Sequence, residues 1–184
     1  AFRVHGIHTF RFTIHATSLP KHGMVTASYI WELLEEVSDP EVPVLSVVDL
    51  GVARRVEVNE QSITITITPT YSGCPAMKTM EDDIRKKLSD HHIENVTINT
   101  VLSPAWTTDW LSENGRKKLK EYGIAPPEHE VDKSVLFSEP TKVPCPKCGS
   151  TDTRMVSQFG STACKAHYQC NTCKEPYDYF KCLK

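Results

Sequence analysis

An excess of charge of either sign is what this 184-residue sequence most clearly lacks: 21 basic residues against 23 acidic ones leave a formal net charge of −2. Dedicated nucleic-acid binders carry a basic excess, so that class is disfavoured at the outset. Long hydrophobic runs are missing too, and no stretch approaches the ~18 apolar residues that a spanning helix requires. Glycine is scarce, at 8 residues. There is no glycine-rich loop to cradle a phosphate, no His-x-x-x-His pair and no Ser-His-Asp order, so a self-contained nucleotide enzyme or hydrolase has little support. Cysteine is nearly absent from most of the chain. Cys74 stands alone until Cys145, and six of the seven cysteines follow residue 144. A secreted disulfide framework would spread an even set more widely, so an odd, clustered set points to metal or to a reactive thiol. It also fits a reducing, cytoplasmic setting.

What is present is ordinary globular material. Hydrophobic residues at 39% and charged residues at 24% exclude general disorder. The charges are unevenly distributed, however. Residues 1–23 hold three bases and no acid, a net of +3; residues 24–143 hold 12 bases and 20 acids, a net of −8; residues 144–184 hold six bases and three acids, a net of +3. This suggests a leader (1–23), a body (24–124), a linker rich in proline and acids (125–143) and a tail (144–184). The leader, with four histidines and no helical period, has three readings: a translated stretch upstream of the true start, a disordered extension, or a basic transit peptide.

In the body, Ile30, Leu33, Leu34 and Val37 follow the spacing of an amphipathic helix that the Asp39-Pro40 turn stops. Val52, Val56 and Val58 fit a strand, Asn59-Glu60-Gln61 a hairpin connection, and Ile63 to Thr68 a second strand in which isoleucines and threonines alternate. The period then changes. Met77, Met80, Ile84 and Leu88 mark a second helix with Pro75 at its first turn. Val96 to Leu102 give a third strand, and Trp106, Trp110 and Leu111 begin a third helical stretch ending near Gly123. The expected fold class is α+β: a small α/β sandwich, with a mixed sheet and helices on one face, followed by a small zinc ribbon.

The ribbon rests on Cys145-Pro146-Lys147-Cys148 and Cys170-Asn171-Thr172-Cys173. Two thiolates three positions apart in a tight turn can face one ion, and two such turns complete a tetrahedron. A tail of about 40 residues buries too little apolar surface to fold alone, and metal binding supplies the missing stability. Structural zinc is the leading reading, with iron or disulfides as the competing ones. Cys164, Cys182 and His167 are either further ligands or packing residues. Tyr177, Tyr179 and Phe180 read as ribbon core or docking surface rather than a stacking platform for bases.

Cys74 lies where a strand gives way to a helix. Unpaired N–H groups at a helix N-terminus stabilise a thiolate, which makes Cys74 a candidate reactive or metal-handling thiol, exposed at the start of the second helix. It could equally be a packed cysteine in a turn. Asp39 and Glu41 are candidate carboxylates beside it, or simply turn residues.

Several of these stretches resemble a known family. Val37-Ser38-Asp39-Pro40-Glu41-Val42-Pro43, Ser46-Val47-Val48-Asp49-Leu50-Gly51 and Thr68-Pro69-Thr70-Tyr71-Ser72-Gly73-Cys74-Pro75 resemble the MIP18-like iron–sulfur assembly domains. With the tail, Gln158 to Ala166, Cys170, Cys173 and Glu175 to Cys182, the likeness extends over about residues 24–184. It narrows there to the D-subunit family of bacterial phenylacetyl-CoA epoxidase systems. That resemblance implies an accessory role in aerobic phenylacetate catabolism. The multicomponent monooxygenase makes a ring epoxide with a di-iron subunit and a flavin and iron–sulfur reductase, and the D-type component serves maturation or insertion of a metal centre. By position, Cys74 matches the family cysteine linked to iron–sulfur handling, Asp39 and Glu41 its acidic motif, and the four knuckle cysteines its zinc ligands. Cys164 and Cys182 also fall at family positions.

The implied cofactors are structural zinc and a transient iron or iron–sulfur cluster; the implied partners are the other epoxidase subunits. A homodimer that joins two Cys74 thiolates would make a shared, labile site. A body with a net charge of −8 would repel nucleic acid. The competing function is a purely structural subunit, with Cys74 dispensable and the ribbon and the Trp106/Trp110 helix acting as scaffold.

Overall fold

A computed structural model describes residues 25–127 and 142–181. The leader, most of the expected linker and Cys182 lie outside the described residues.

The body begins with helix α1 (Ala27–Glu35), capped by Thr26, whose side chain accepts from the Tyr29 N–H at 3.2 Å. The expected apolar stripe is real: Ile30, Leu33 and Leu34 are buried. Strands β1 (Ala53–Val58) and β2 (Ile63–Ile67) form an antiparallel hairpin. Helix α2 (Ala76–Asp90) then crosses to β3 (Val96–Thr100), which lies parallel to β2. The resulting three-stranded sheet, ordered β1-β2-β3, is mixed, as expected. Ile63, Ile65 and Ile67 face the core while Thr64 and Thr66 are half-exposed, the alternation a sheet covered on one face requires. Met80, Ile84 and Leu88 of α2 pack into the same core.

The third helical stretch differs from the sequence expectation. Trp106 lies in a loop, a short 3-10 turn covers Thr108–Trp110, and α3 starts only at Glu113, running to Tyr122. Ser112 is the reason: its side chain accepts from the Gly115 N–H at 2.8 Å and caps the helix there, leaving Leu111 extended. Trp106 is therefore free to enter the core, where its indole N–H donates to the Leu50 carbonyl at 2.9 Å. It is no scaffold surface.

Asp49 anchors α3. Its carboxylate accepts from Ser112, from Asn114 and from Lys118. Gly51 sits beside it with φ +70°, and a Cβ there would meet the Trp110 carbonyl oxygen at 2.4 Å. This motif fastens the helix to the body.

The tail forms a second sheet, ordered β4-β7-β6-β5. Strands β5 (Thr153–Ser157), β6 (Lys165–Cys170) and β7 (Pro176–Phe180) are antiparallel neighbours. The fourth strand comes from the body: β4 (Ile124–Ala125), directly after α3, pairs parallel with β7. The ribbon is thus stitched to the body by backbone hydrogen bonds. Apolar packing joins them as well, since Phe180 and Cys164 belong to the body's hydrophobic cluster and the Phe180 ring meets Trp106 edge-on at 6.1 Å. Tyr168, Tyr177 and Tyr179 fill the ribbon's own core, with Tyr168 and Tyr177 stacked at 5.9 Å.

Candidate metal centre and thiol site

Two cysteine-bearing sites emerge, and the ribbon builds the first. Each knuckle is held by the backbone: the Gly149 N–H donates to the Cys145 carbonyl at 2.9 Å, and the Cys173 N–H points at Cys170 Sγ at 3.5 Å. That second contact draws the Cys170 thiol down to about 6. The four sulfurs lie within 4.8 Å of one another. Cys145 and Cys173 are 3.7 Å apart, Cys148 and Cys170 3.6 Å. A tetrahedral ion with metal–sulfur bonds of about 2.3 Å has sulfur–sulfur edges of about 3.8 Å. The residues therefore fit zinc, and a set of four thiolates leaves no coordination position for substrate. His167 is not among them; its Nδ1 lies 3.2 Å from Asp178.

The second site lies where the body's loops meet the start of β6. Gly73, at φ +84° with open space where a Cβ would stand, turns the chain so that Cys74 lies directly before Pro75, the N-cap of α2. The Ala76 N–H and the Tyr71 hydroxyl both favour the Cys74 thiolate. The expected exposure is corrected: Cys74 is only 8% exposed. Burial pushes its thiol up, and the charges of Glu41 and Asp39 add to this, so the helix N–H and the tyrosine are outweighed. The surroundings thus disfavour the thiolate rather than poise it. Its chain neighbours Ser72, Gly73 and Pro75 are nevertheless exposed, so the sulfur lies just under a surface turn.

Asp39 and Glu41 both bear electrostatically on Cys74, and they have different roles. The buried Asp39 carboxylate accepts from the backbone N–H groups of Glu41 and Val42, both at 2.7 Å, and so shapes the loop. Burial raises its pKa against those two donors. Glu41 is half-buried and makes the cross-module contacts. Its Oε2 accepts from Cys164 Sγ at 3.5 Å, and its backbone carbonyl accepts from Lys165 Nζ at 3.2 Å. Cys164 is buried, 3.1 Å from Thr162 Oγ1, and burial together with Glu41 pushes its thiol up to about 11.

Sequence reasoning missed Tyr71 and Lys165 as members of this site. Tyr71 sits inside the quoted Thr70-Tyr71-Ser72 turn and carried a local signal; Lys165 had none, because its partner is 124 residues away.

Comparison with known proteins adds the lineage. Residues 28–99 match the family described as iron–sulfur cluster assembly protein, and residues 129–181 match the zinc beta ribbon domain of the PaaD type. The chain is 46% identical over 154 residues to the putative D subunit of the 1,2-phenylacetyl-CoA epoxidase of Escherichia coli, covering 84% of this chain and 92% of that one. The chain belongs to this epoxidase D-subunit family. Over about half of its length it is also similar to Fe-S protein maturation auxiliary factors. One from Porphyromonas gingivalis is 35% identical, over 51% of this chain and 90% of its own; one from Bacillus subtilis is 37% identical, over 47% and 85%. Asp39, Glu41 and Cys74 all lie within the residues 28–99 that match the iron–sulfur cluster assembly family. Among the described residues, no helix is long and apolar enough to cross a membrane.

Proposed function

We propose that this chain is an accessory maturation factor that delivers iron or an iron–sulfur cluster to a metal centre of a phenylacetyl-CoA epoxidase system, and that it does not turn over the thioester itself. The observation that carries the reading is the place of the Cys74 thiol, under the surface turn just before α2, within the segment 28–99 that matches the iron–sulfur assembly family, with the charges of Glu41 and Asp39 acting on it. A thiol is a soft donor and a carboxylate a hard one, and together they suit a borderline ion such as Fe(II). A site with few protein ligands also holds its cargo loosely enough to release it. The similarity of the body to maturation factors supports the same reading. Zinc at Cys145, Cys148, Cys170 and Cys173 would be structural, holding the ribbon for docking on the other subunits.

Burial of Cys74 favours one competitor, the scaffold reading in which this cysteine merely packs. A single substitution separates the two. On the carrier reading, Cys74→Ser keeps the fold, the zinc content and copurification of the other subunits, while activity of the co-expressed epoxidase falls to the level found without this chain. Full activity in that variant would remove the carrier role and leave the scaffold.

A further inference from the structure

We propose that the open edge of β3 is an interface with a second copy of this chain, in which the two β3 strands pair antiparallel about a two-fold axis and join both three-stranded sheets into one. The inference goes beyond the reading of Cys74 and does not depend on it.

Sheet edges are normally guarded by charge, proline, bulges or brevity, because a row of unpaired backbone groups invites another strand. The two sheets have four edges among the described residues, and three of them are guarded. β1 carries Arg54, Arg55 and Glu57, with a register shift between Ala53 and Arg55. β5 carries Arg154 and a register shift between Met155 and Ser157, and β4 is two residues long. β3, Val96-Thr97-Ile98-Asn99-Thr100, has no charge, no proline and an unbroken register with β2. The ladder shows which of its groups are open. The Ile63 N–H donates to the Asn95 carbonyl and the Val101 N–H to the Ile67 carbonyl. Thr97 and Asn99 therefore serve β2 as well, and the backbone of Val96, Ile98 and Thr100 points away from it.

Symmetry and charge identify the occupant. Antiparallel pairing centred on Ile98 sets Val96 against Thr100 of the second copy and Ile98 against its own counterpart, and each such pair exchanges both of its backbone hydrogen bonds. Val96, Ile98 and Thr100 share the face of Ile63, Ile65 and Ile67, their partners in register, so the half-buried Val96 and Ile98 gain apolar cover at the seam. α2 overhangs the same edge with complementary charge. Arg85 donates to the Val96 carbonyl at 3.0 Å, and Glu81 accepts from the Thr100 hydroxyl at 2.8 Å. Because the two-fold sets the Val96 end of one strand against the Thr100 end of the other, each Arg85 meets the Glu81 of the second copy. A carbonyl oxygen has two lone pairs, so Val96 can keep Arg85 and still accept from the new strand. A strand from another protein would have to match this pattern, whereas a second copy supplies it. The axis passes beside the middle of α2, between Glu81 and Arg85, so the two Cys74 thiols stand at opposite ends of the interface and do not form one shared site.

The test is sedimentation equilibrium of the full-length, reduced, zinc-loaded chain from about 1 to 100 μM at low salt, where exposed charges are least screened. The expected result is a monomer–dimer equilibrium. Arg85→Glu sets acid against acid at both ion pairs, and Glu81→Arg sets base against base. Each alone should weaken dimerisation about tenfold or more, since two attractive pairs become two repulsive ones. Mixed in equal amounts, the two variants should restore it, because each then meets its opposite. Thr100→Pro removes an edge N–H that β2 does not use and should weaken dimerisation as well. Neither Glu81 nor Arg85 is buried, and melting temperature and zinc content verify the fold of every variant. A chain that stays monomeric throughout, or that pairs only with a different protein when co-expressed, would overturn the proposal. So would a dimer that neither charge variant weakens, or one that mixing them fails to restore. None of these results bears on the cargo role of Cys74, which its own substitution tests.

Discussion

A buried carboxylate can be kept for shape or for charge, and Asp39 shows how to separate the two. Its Oδ1 accepts from two backbone N–H groups, a task an asparagine oxygen can also perform. Its negative charge, in contrast, is held against burial, which raises its pKa. An acid whose folded pKa lies above its unfolded value is penalised at high pH, and the penalty fades as pH falls toward the unfolded value. Asp39→Asn should therefore melt at or above the wild type at pH 8, with the difference shrinking toward pH 4, while delivery of metal declines. A large loss of stability at pH 8 would show that the charge itself holds the loop. Asp49 is the opposite case. Burial acts against its ionisation, but Lys118, Asn114 and Ser112 outweigh it and hold its carboxyl below the usual range. Its contribution to stability is present above the unfolded pKa and disappears in acid.

At the scale of elements, the turns do more than connect. Gly51 and Gly73 both have positive φ, yet their surroundings differ. A Cβ at Gly51 would collide with the Trp110 carbonyl, whereas one at Gly73 would meet open space. Gly73→Ala should cost only the conformational penalty, about 1–2 kcal/mol. Gly51→Ala adds a backbone clash that α3 cannot relieve without breaking its ties to Asp49, so its loss should exceed that of Gly73→Ala by at least about 1 kcal/mol in denaturant unfolding. Equal losses would mean that the Gly51–Trp110 contact yields easily.

The strands and the first two helices were legible because Ile63, Ile65 and Ile67, or Met80, Ile84 and Leu88, repeat at periods that only one backbone geometry puts on a single face. The start of α3 was not. Trp106, Trp110 and Leu111 imitate a helical period, and only the Ser112 cap and the Leu50 carbonyl waiting for the Trp106 indole decide otherwise.

The whole molecule behaves as two modules with a shared seam. Zinc binding contributes on the order of 10–16 kcal/mol in small isolated zinc domains. Here its loss should reach beyond the ribbon, because Phe180 packs on Trp106 and β4 is a body segment paired with β7. In a variant retaining Trp106 as its single tryptophan, chelation of the zinc should shift the indole emission to the red as the Phe180 contact is lost. Phe180→Ala should reproduce the shift with zinc in place, at about 3–5 kcal/mol of stability. An emission spectrum indifferent to chelation would mean that the ribbon stays docked without its metal. The same seam bears on cargo: Cys74 is covered, and the ribbon's Cys164 and Lys165 rest on the Glu41 loop beside it. On the proposed carrier role, loading and release would call for movement of the ribbon or of the loop.

By itself the sequence determined the local matters: the periods of α1, α2 and the strands, the paired knuckles with their tetrahedral set of sulfurs, and the presence of one cysteine at a strand-to-helix turn. These depend on residues a few positions apart, where backbone geometry leaves few alternatives. Only the tertiary structure decided that Cys74 is buried and its thiol pKa pushed up, that β4 joins the ribbon's sheet, and that Cys164 reaches Glu41. Desolvation and contacts across more than a hundred residues follow from how surfaces pack, and spacing along the chain does not encode them.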